Sequence, residues 1–118
     1  MILSLSLPRI GSQLLGATVH RVLVHAGDEL RPGTPMIEVR ADLGAAGGQD
    51  CPPVQYFRIV ATERAHFRRL FVAVGDNLAP GAPLGLATTD AAEQADGAPA
   101  RVLRSMSVGI QVDPLADV

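Results

Sequence analysis

The segment VHAGDELRPGTP, from Val24 to Pro35, returns 48 positions later as VAVGDNLAPGAP, from Val72 to Pro83. Seven of the twelve positions are identical. In each copy a Gly-Asp pair is followed by Leu, then Pro-Gly, then another apolar run. Glycine adopts positive φ without strain and aspartate accepts a local hydrogen bond, so each copy predicts two tight turns. The predicted turn residues are Gly27, Asp28, Gly33, Gly75, Asp76 and Gly81.

The residues around the repeat alternate as β-strands do. Leu3, Leu5 and Leu7 are separated by serines, and runs rich in β-branched or aromatic residues precede both Gly-Asp pairs. This period of two, with 12 glycines and 9 prolines, predicts a turn-rich, all-β protein. A solenoid needs about three repeats to bury a continuous core. Two copies therefore predict a single pseudo-twofold domain in which two half-sheets cover each other.

Composition narrows the class of protein further. The net charge is −2, with no concentrated basic face, so no nucleic-acid partner is predicted. A single cysteine excludes an internal disulfide and is compatible with a reducing compartment. No run approaches the roughly 18 apolar residues of a membrane helix, and the first residues lack a basic segment typical of a signal peptide. We expect a cytoplasmic domain with no membrane partner.

The order of these elements resembles a known family. LSLPRIG, followed by ATVHRVLVHAGDELRPGTPMIEV, resembles the first half of the lipoyl domain of 2-oxo acid dehydrogenase acyltransferases. Biotinyl domains and the glycine-cleavage H protein share the pattern more loosely. The resemblance implies a flattened barrel-sandwich hybrid of two antiparallel four-stranded sheets with a pseudo-twofold repeat. It covers about residues 2–90, so we expect a lipoyl/biotinyl-like barrel at 1–90 and a linker with a C-terminal strand at 91–118.

In that family a lysine at the tip of the central hairpin carries lipoate or biotin as an amide. Glu38 matches the family's acidic residue. The position that aligns with the family's lysine, which we call the lysine column, falls on Ala41, flanked by Arg40 and Asp42. All ten Lys and Arg residues of this chain are arginine, whose guanidinium stays protonated and is a poor nucleophile. The resemblance therefore predicts a domain that cannot be lipoylated or biotinylated and that holds no cofactor.

The segment ADLGAAGGQDCPPVQYF, residues 41–57, predicts a central hairpin longer than that of the family. Its glycines and paired prolines indicate a flexible loop with a stiff exit. Long surface loops often carry function, but an insertion tolerated at a disused tip explains the segment equally well. The candidate partner surface is residues 41–56, with Asp42, Leu43, Cys51 and Tyr56 as the candidate contacts.

Candidates for chemistry are few. Cys51 is the one thiol that could carry an acyl group, but no adjacent cation or helix N-terminus lowers its pKa. His20, His25 and His66 lack cysteines or carboxylates at zinc-ligand spacing, so no metal site is predicted. No nucleophile elbow, phosphate loop or pair of catalytic carboxylates is recognisable, and we expect a protein that is not an enzyme.

The C-terminal segment predicts a further strand, because Met106, Val108, Ile110 and Val112 alternate with small or polar residues. Such a strand needs a partner for its backbone and its apolar face. It could return to an edge of its own barrel, pair with the hairpin around Val54–Val60, or exchange into a second subunit. We favour the third arrangement, a homodimer formed through the C-terminal strand.

These observations favour a non-enzymatic, lipoyl/biotinyl-like binding or assembly module with a protein partner, and the resemblance implies that this partner is a multi-enzyme complex. The alternative is an acyl or carboxyl carrier with an unorthodox attachment at Cys51. A third interpretation, the barrel of a membrane-fusion or export adaptor, is disfavoured because such barrels are interrupted by a long helical hairpin and follow an N-terminal anchor.

Overall fold

The structure, a computed structural model, describes residues 1–7, 16–42, 54–79 and 81–110, and every regular element within these ranges is a β-strand. Leu3 and Leu5 alternate inward with half-buried neighbours, as the period of two predicts. The strands are β1 (Ile2–Ser6), β2 (Gly16–Val22), β3 (Glu29–Leu30), β4 (Pro35–Asp42), β5 (Val54–Ala61), β6 (Ala65–Leu70), β7 (Asn77–Leu78), β8 (Pro83–Thr88), β9 (Arg101–Val102) and β10 (Ser105–Ile110). The all-β expectation is confirmed.

These strands form two sheets. The first has the order β3-β6-β8-β1-β9 and the second the order β10-β5-β4-β2-β7. All neighbouring strands are antiparallel except β1 and β9. Each sheet has five strands, whereas four in each sheet and one extra C-terminal strand were expected. The reason is the C-terminal extension, which adds β9 beside β1 and β10 beside β5. Over the described residues neither sheet closes into a barrel.

The sequence repeat is reproduced in the strand pairing. Strands β2, β3 and β4 correspond to β6, β7 and β8. Strand β5 lies beside β4 as β1 lies beside β8. The pairings β2–β4, β2–β7 and β4–β5 therefore correspond to β6–β8, β6–β3 and β8–β1. The register of β2 on β4 shifts between Val19 and Arg21, and that of β6 on β8 shifts 48 positions later, between Phe67 and Arg69. Each sheet thus contains strands from both copies.

The turns repeat with the strands. The φ angles of Gly27 and Gly75 are 97° and 95°, and both residues occupy open space where a side chain would strain the backbone. The Asp28 Oδ2 accepts a 2.8 Å hydrogen bond from the His25 N–H. The Asp76 Oδ2 accepts the equivalent 2.9 Å bond from the Ala73 N–H. The two Gly-Asp pairs therefore form the same turn.

The core lies between the sheets and consists mainly of aliphatic side chains. Phe67 is its largest member and is fully buried. Leu103, in the link between β9 and β10, is also buried, and its N–H donates to the Ser4 carbonyl at 2.8 Å. The C-terminal extension therefore contributes to the same core as the repeat.

Candidate functional site

The lysine column of the resembling family falls on a residue that faces the core. Ala41 is fully buried in β4 and pairs with Gln55 of β5. The strands remain paired one residue further, at Asp42 and Val54. The expectation that this column marks the hairpin tip was therefore wrong, because the β4–β5 ladder continues past it. Leu43 and Cys51, two of the candidate contacts, lie outside the described residues.

The other candidate residues are spread over different parts of the fold. The ring of Tyr56 meets that of His20 edge to face, with 4.9 Å between the centroids. His25 is exposed, with its Nδ1 3.7 Å from the Asp28 Oδ2. His66 lies in β6, opposite Glu29 and Thr88. Across the described ranges, no three His, Cys, Asp or Glu side chains gather as they would to hold a metal.

A buried carboxylate lies at the centre of the second sheet. Ile37, Val39 and Ala41 face the core, so the alternation of β4 directs Glu38 to the opposite face. The Arg58 Nε and Nη2 donate to the Glu38 Oε2 at 2.9 and 2.6 Å. The Arg21 Nη1 lies 3.7 Å from the Glu38 Oε1. Glu38 is only 2% exposed, because these two cross-strand neighbours cover it.

The strand β10 extends this face with apolar side chains. Cross-strand partners share a face, so Arg21, Glu38, Arg58 and Val108 form one row across the sheet. Adjacent rows include Met106 beside Val60, and Ile110 beside Tyr56 and Arg40. We call this surface the outer face, defined by Arg21, Glu38, Arg40, Tyr56, Arg58, Met106, Val108 and Ile110. Met106 and Val108 are 50% and 40% exposed.

A second ion pair holds the corner where the chain crosses from the first sheet to the second. Both guanidinium Nη atoms of Arg101 donate to the Glu63 carboxylate at 2.7 Å. The Arg104 N–H donates to the Glu63 Oε2, also at 2.7 Å. The hydrogen bond from Arg101 is the main cause that lowers the pKa of Glu63 from 4.5 to about 2, against an opposing effect of burial. Glu63 therefore anchors the link between β9 and β10.

We expect Glu63→Gln to lower the free energy of unfolding by about 2 kcal/mol at pH 7, because it removes a charge-assisted, bidentate pair. The folded pKa lies below the unfolded value. The stabilisation by the Glu63 carboxylate is therefore complete above about pH 4.5 and is lost as the pH falls towards about 2. Urea unfolding of the unchanged protein and of Glu63→Gln between pH 7 and pH 2 measures this stabilisation. Glu29→Gln, which breaks the exposed pair with Arg31, is the matched control and should cost less than about 1 kcal/mol.

Among the grooves lined by described residues are two of about 450 Å³ each. One lies beside the corner and is lined by Ser6, Leu7 and residues 102–105. The other lies beside the Gly27 turn and includes Arg68, Arg69 and Asp96. Among the residues that line them, no nucleophile is accompanied by a histidine base.

Over the ranges that the structure covers, it contains no helix long and apolar enough to cross a membrane. The chain matches no protein-family model, no curated protein and no solved structure. The likeness to lipoyl and biotinyl domains therefore rests on the motifs of the chain itself.

Proposed function

We propose that this chain is a lipoyl/biotinyl-like domain that cannot be lipoylated or biotinylated and that serves as a non-enzymatic binding or assembly module. One observation carries the proposal: Ala41, in the family's lysine column, is a fully buried residue of a paired strand in a chain without lysine. Lipoate and biotin ligases need an exposed primary amine. This position offers neither the amine nor the exposure.

The fold supports the family part of the proposal. Without β9 and β10, each sheet has four strands, and the pairings of one sheet correspond to those of the other across the repeat. The resemblance implies such a correspondence between the two sheets for a barrel-sandwich hybrid with a pseudo-twofold axis, and this agreement supports the proposal. The extension is then an addition to the family's fold that covers β1 and β5.

The outer face supports the binding part. Its exposed apolar side chains, Met106 and Val108, are on the same surface as the exposed Arg21 and Arg40. An apolar patch bordered by polar groups is typical of protein interfaces. A multi-enzyme complex as the partner follows from the resemblance, because lipoyl and biotinyl domains work within such assemblies.

The test is the intact mass of the protein purified from its native host, combined with a pull-down. We expect the mass of the unmodified chain and capture of specific protein partners. Val108→Ser should reduce the capture, whereas Val74→Ser, at a valine 64% exposed in the β6–β7 turn, should not. A covalent adduct that disappears in Cys51→Ser would instead establish the carrier. An adduct that survives this change would also contradict the proposal.

A further inference from the structure

The four sheet edges of this fold are not equivalent. Over the described residues, β3, β7 and β9 form three of the edges and have only two residues each. The fourth edge is β10, which has six. Very short edge strands offer few backbone groups to another chain, which is a common protection against edge-to-edge association. Among the described strands, three edges are therefore protected in this way, whereas the β10 edge is not.

The strand β10 lacks the usual devices that protect an edge. Its sequence, SMSVGI, contains no charged residue and no proline. It pairs with β5 over six consecutive positions without a bulge. Lysine, proline or a bulge at an edge normally prevents a further strand from adding. In the part of the chain that the structure describes, no strand pairs with its other side.

The backbone groups directed to the free side can be assigned from the ladder. The Thr62 N–H donates to the Arg104 carbonyl at 3.0 Å, one pair beyond the Ser105–Ala61 pair. In an antiparallel ladder, hydrogen-bonded pairs alternate with pairs that are not hydrogen-bonded to each other. Met106, Val108 and Ile110 therefore bond to β5. Ser105, Ser107 and Gly109 direct their N–H and C=O groups away from it.

The Ala61 contacts agree with this assignment. Its N–H donates to the Thr34 carbonyl, and its own carbonyl accepts from the Gly33 N–H, both on the β4 side. Ala61 therefore makes no backbone hydrogen bond to its partner Ser105, as the alternation requires.

We propose that β10 pairs antiparallel with β10 of a second copy of this chain, about a twofold axis at Val108, so that two five-stranded sheets become one continuous sheet. In this register Ser107 and Gly109 of one copy exchange hydrogen bonds with Gly109 and Ser107 of the other. Val108 meets Val108 of the second copy, and Met106 meets Ile110 on the same outer face. The exposed apolar residues of β10 then cover one another.

Charge favours a second copy as the occupant. No residue of β10 is charged, so the twofold pairing brings no like charges opposite each other within the strand. Arg58, the charged neighbour of Val108 in its row, already binds Glu38. This inference adds self-association to the proposed assembly module and rests on that proposal for its biological use.

The first test is the molar mass of the full chain by light scattering over a range of concentrations. We expect a reversible dimer. Val108→Lys places two ammonium groups at the axis and should raise the dimer dissociation constant about tenfold or more. Val74→Lys is the same change at an exposed valine away from β10 and should leave the constant unchanged. Ser107→Pro removes one N–H from the free edge but none from the β5 ladder, and should also raise the dimer dissociation constant.

Amide hydrogen exchange separates edge pairing from strand exchange. In the edge-paired dimer, the Ser107 and Gly109 amides become protected as concentration rises, whereas the Val108 amide is protected at every concentration. In a strand-exchanged dimer, the Ser107 amide gains no protection. That result overturns the proposal, as does a monomer at all concentrations or a dimer that Val108→Lys does not weaken. If the dimer is not observed, the proposed function still stands. That function is contradicted only by a covalent adduct or by the absence of partners in the host.

Discussion

Phe67→Ala is expected to lower the free energy of unfolding by about 3–5 kcal/mol, a large part of the stability of a domain this size. Phe67 is the largest fully buried side chain and lies in the core between the two sheets. A Cβ at Gly85 would lie 3.0 Å from the ring's Cζ and 2.4 Å from the Arg69 carbonyl oxygen. The backbone at Gly85 is therefore already packed closely against the Phe67 ring and the Arg69 backbone. We expect this backbone to move little into the cavity that the truncation leaves.

The matched control is Phe71→Ala, four residues along the chain at a side chain that is 46% exposed. It should cost less than about 1 kcal/mol, because it opens no cavity. Urea unfolding followed by circular dichroism measures both variants. Equal losses would show that the core does not depend on Phe67 as described.

Arg58→Ala should destabilise the protein by about 3 kcal/mol, because it leaves a buried carboxylate without its main partner. Glu38 is 2% exposed and would lose both of its short hydrogen bonds from Arg58. Arg21 lies at 3.7 Å and is 60% exposed, so it can compensate only in part. Replacing both partners by apolar residues should cost less than removing Arg58 alone, because no charge is then left buried.

A double-mutant cycle with Glu38→Leu and Arg58→Met measures this coupling through urea unfolding. We expect a coupling free energy of about 1–3 kcal/mol between the two positions. Arg31→Ala, which breaks an exposed pair with Glu29, is the control and should change stability by less than about 1 kcal/mol. Strict additivity at Glu38 and Arg58 would mean that the pair does not hold the outer face together.

The repeat in the sequence predicted the fold class because its signals are local. A period of two reports which face is buried, and Gly-Asp reports a turn. Neither reports which strand is the neighbour. The two-residue strands β3 and β7 therefore could not be recognised, since each is defined only by pairing with a distant strand. For the same reason, the two-residue strand β9 was missed and the partner of the predicted C-terminal strand could not be assigned.

The ion pairs also combine a local feature that the sequence indicates with a long-range contact that it does not. The alternation MIEVRA places Glu38 on the face opposite Ile37 and Val39, so its outward direction was readable from the sequence. Its burial was not, because Arg21 and Arg58 come from other strands. The partner of Glu63, Arg101, is 38 residues away. The C-terminal strand pairs with Tyr56–Ala61 within its own chain, which is the second of the three arrangements considered. The exchanged homodimer is untested, and the edge-paired dimer proposed above is the alternative to it.

The mixing of both copies within each sheet has a consequence for how the chain folds during synthesis. Strand β1 is made first, yet its antiparallel partner β8 lies about two thirds of a chain later. The side of β5 away from β4 stays uncovered until β10 has been made. Such distant pairings give a high contact order and slow folding. On the ribosome, β2, β4 and β5 can pair with one another early, but β1 must wait for β8 and the free side of β5 for β10, and in that interval the nascent chain depends most on chaperones.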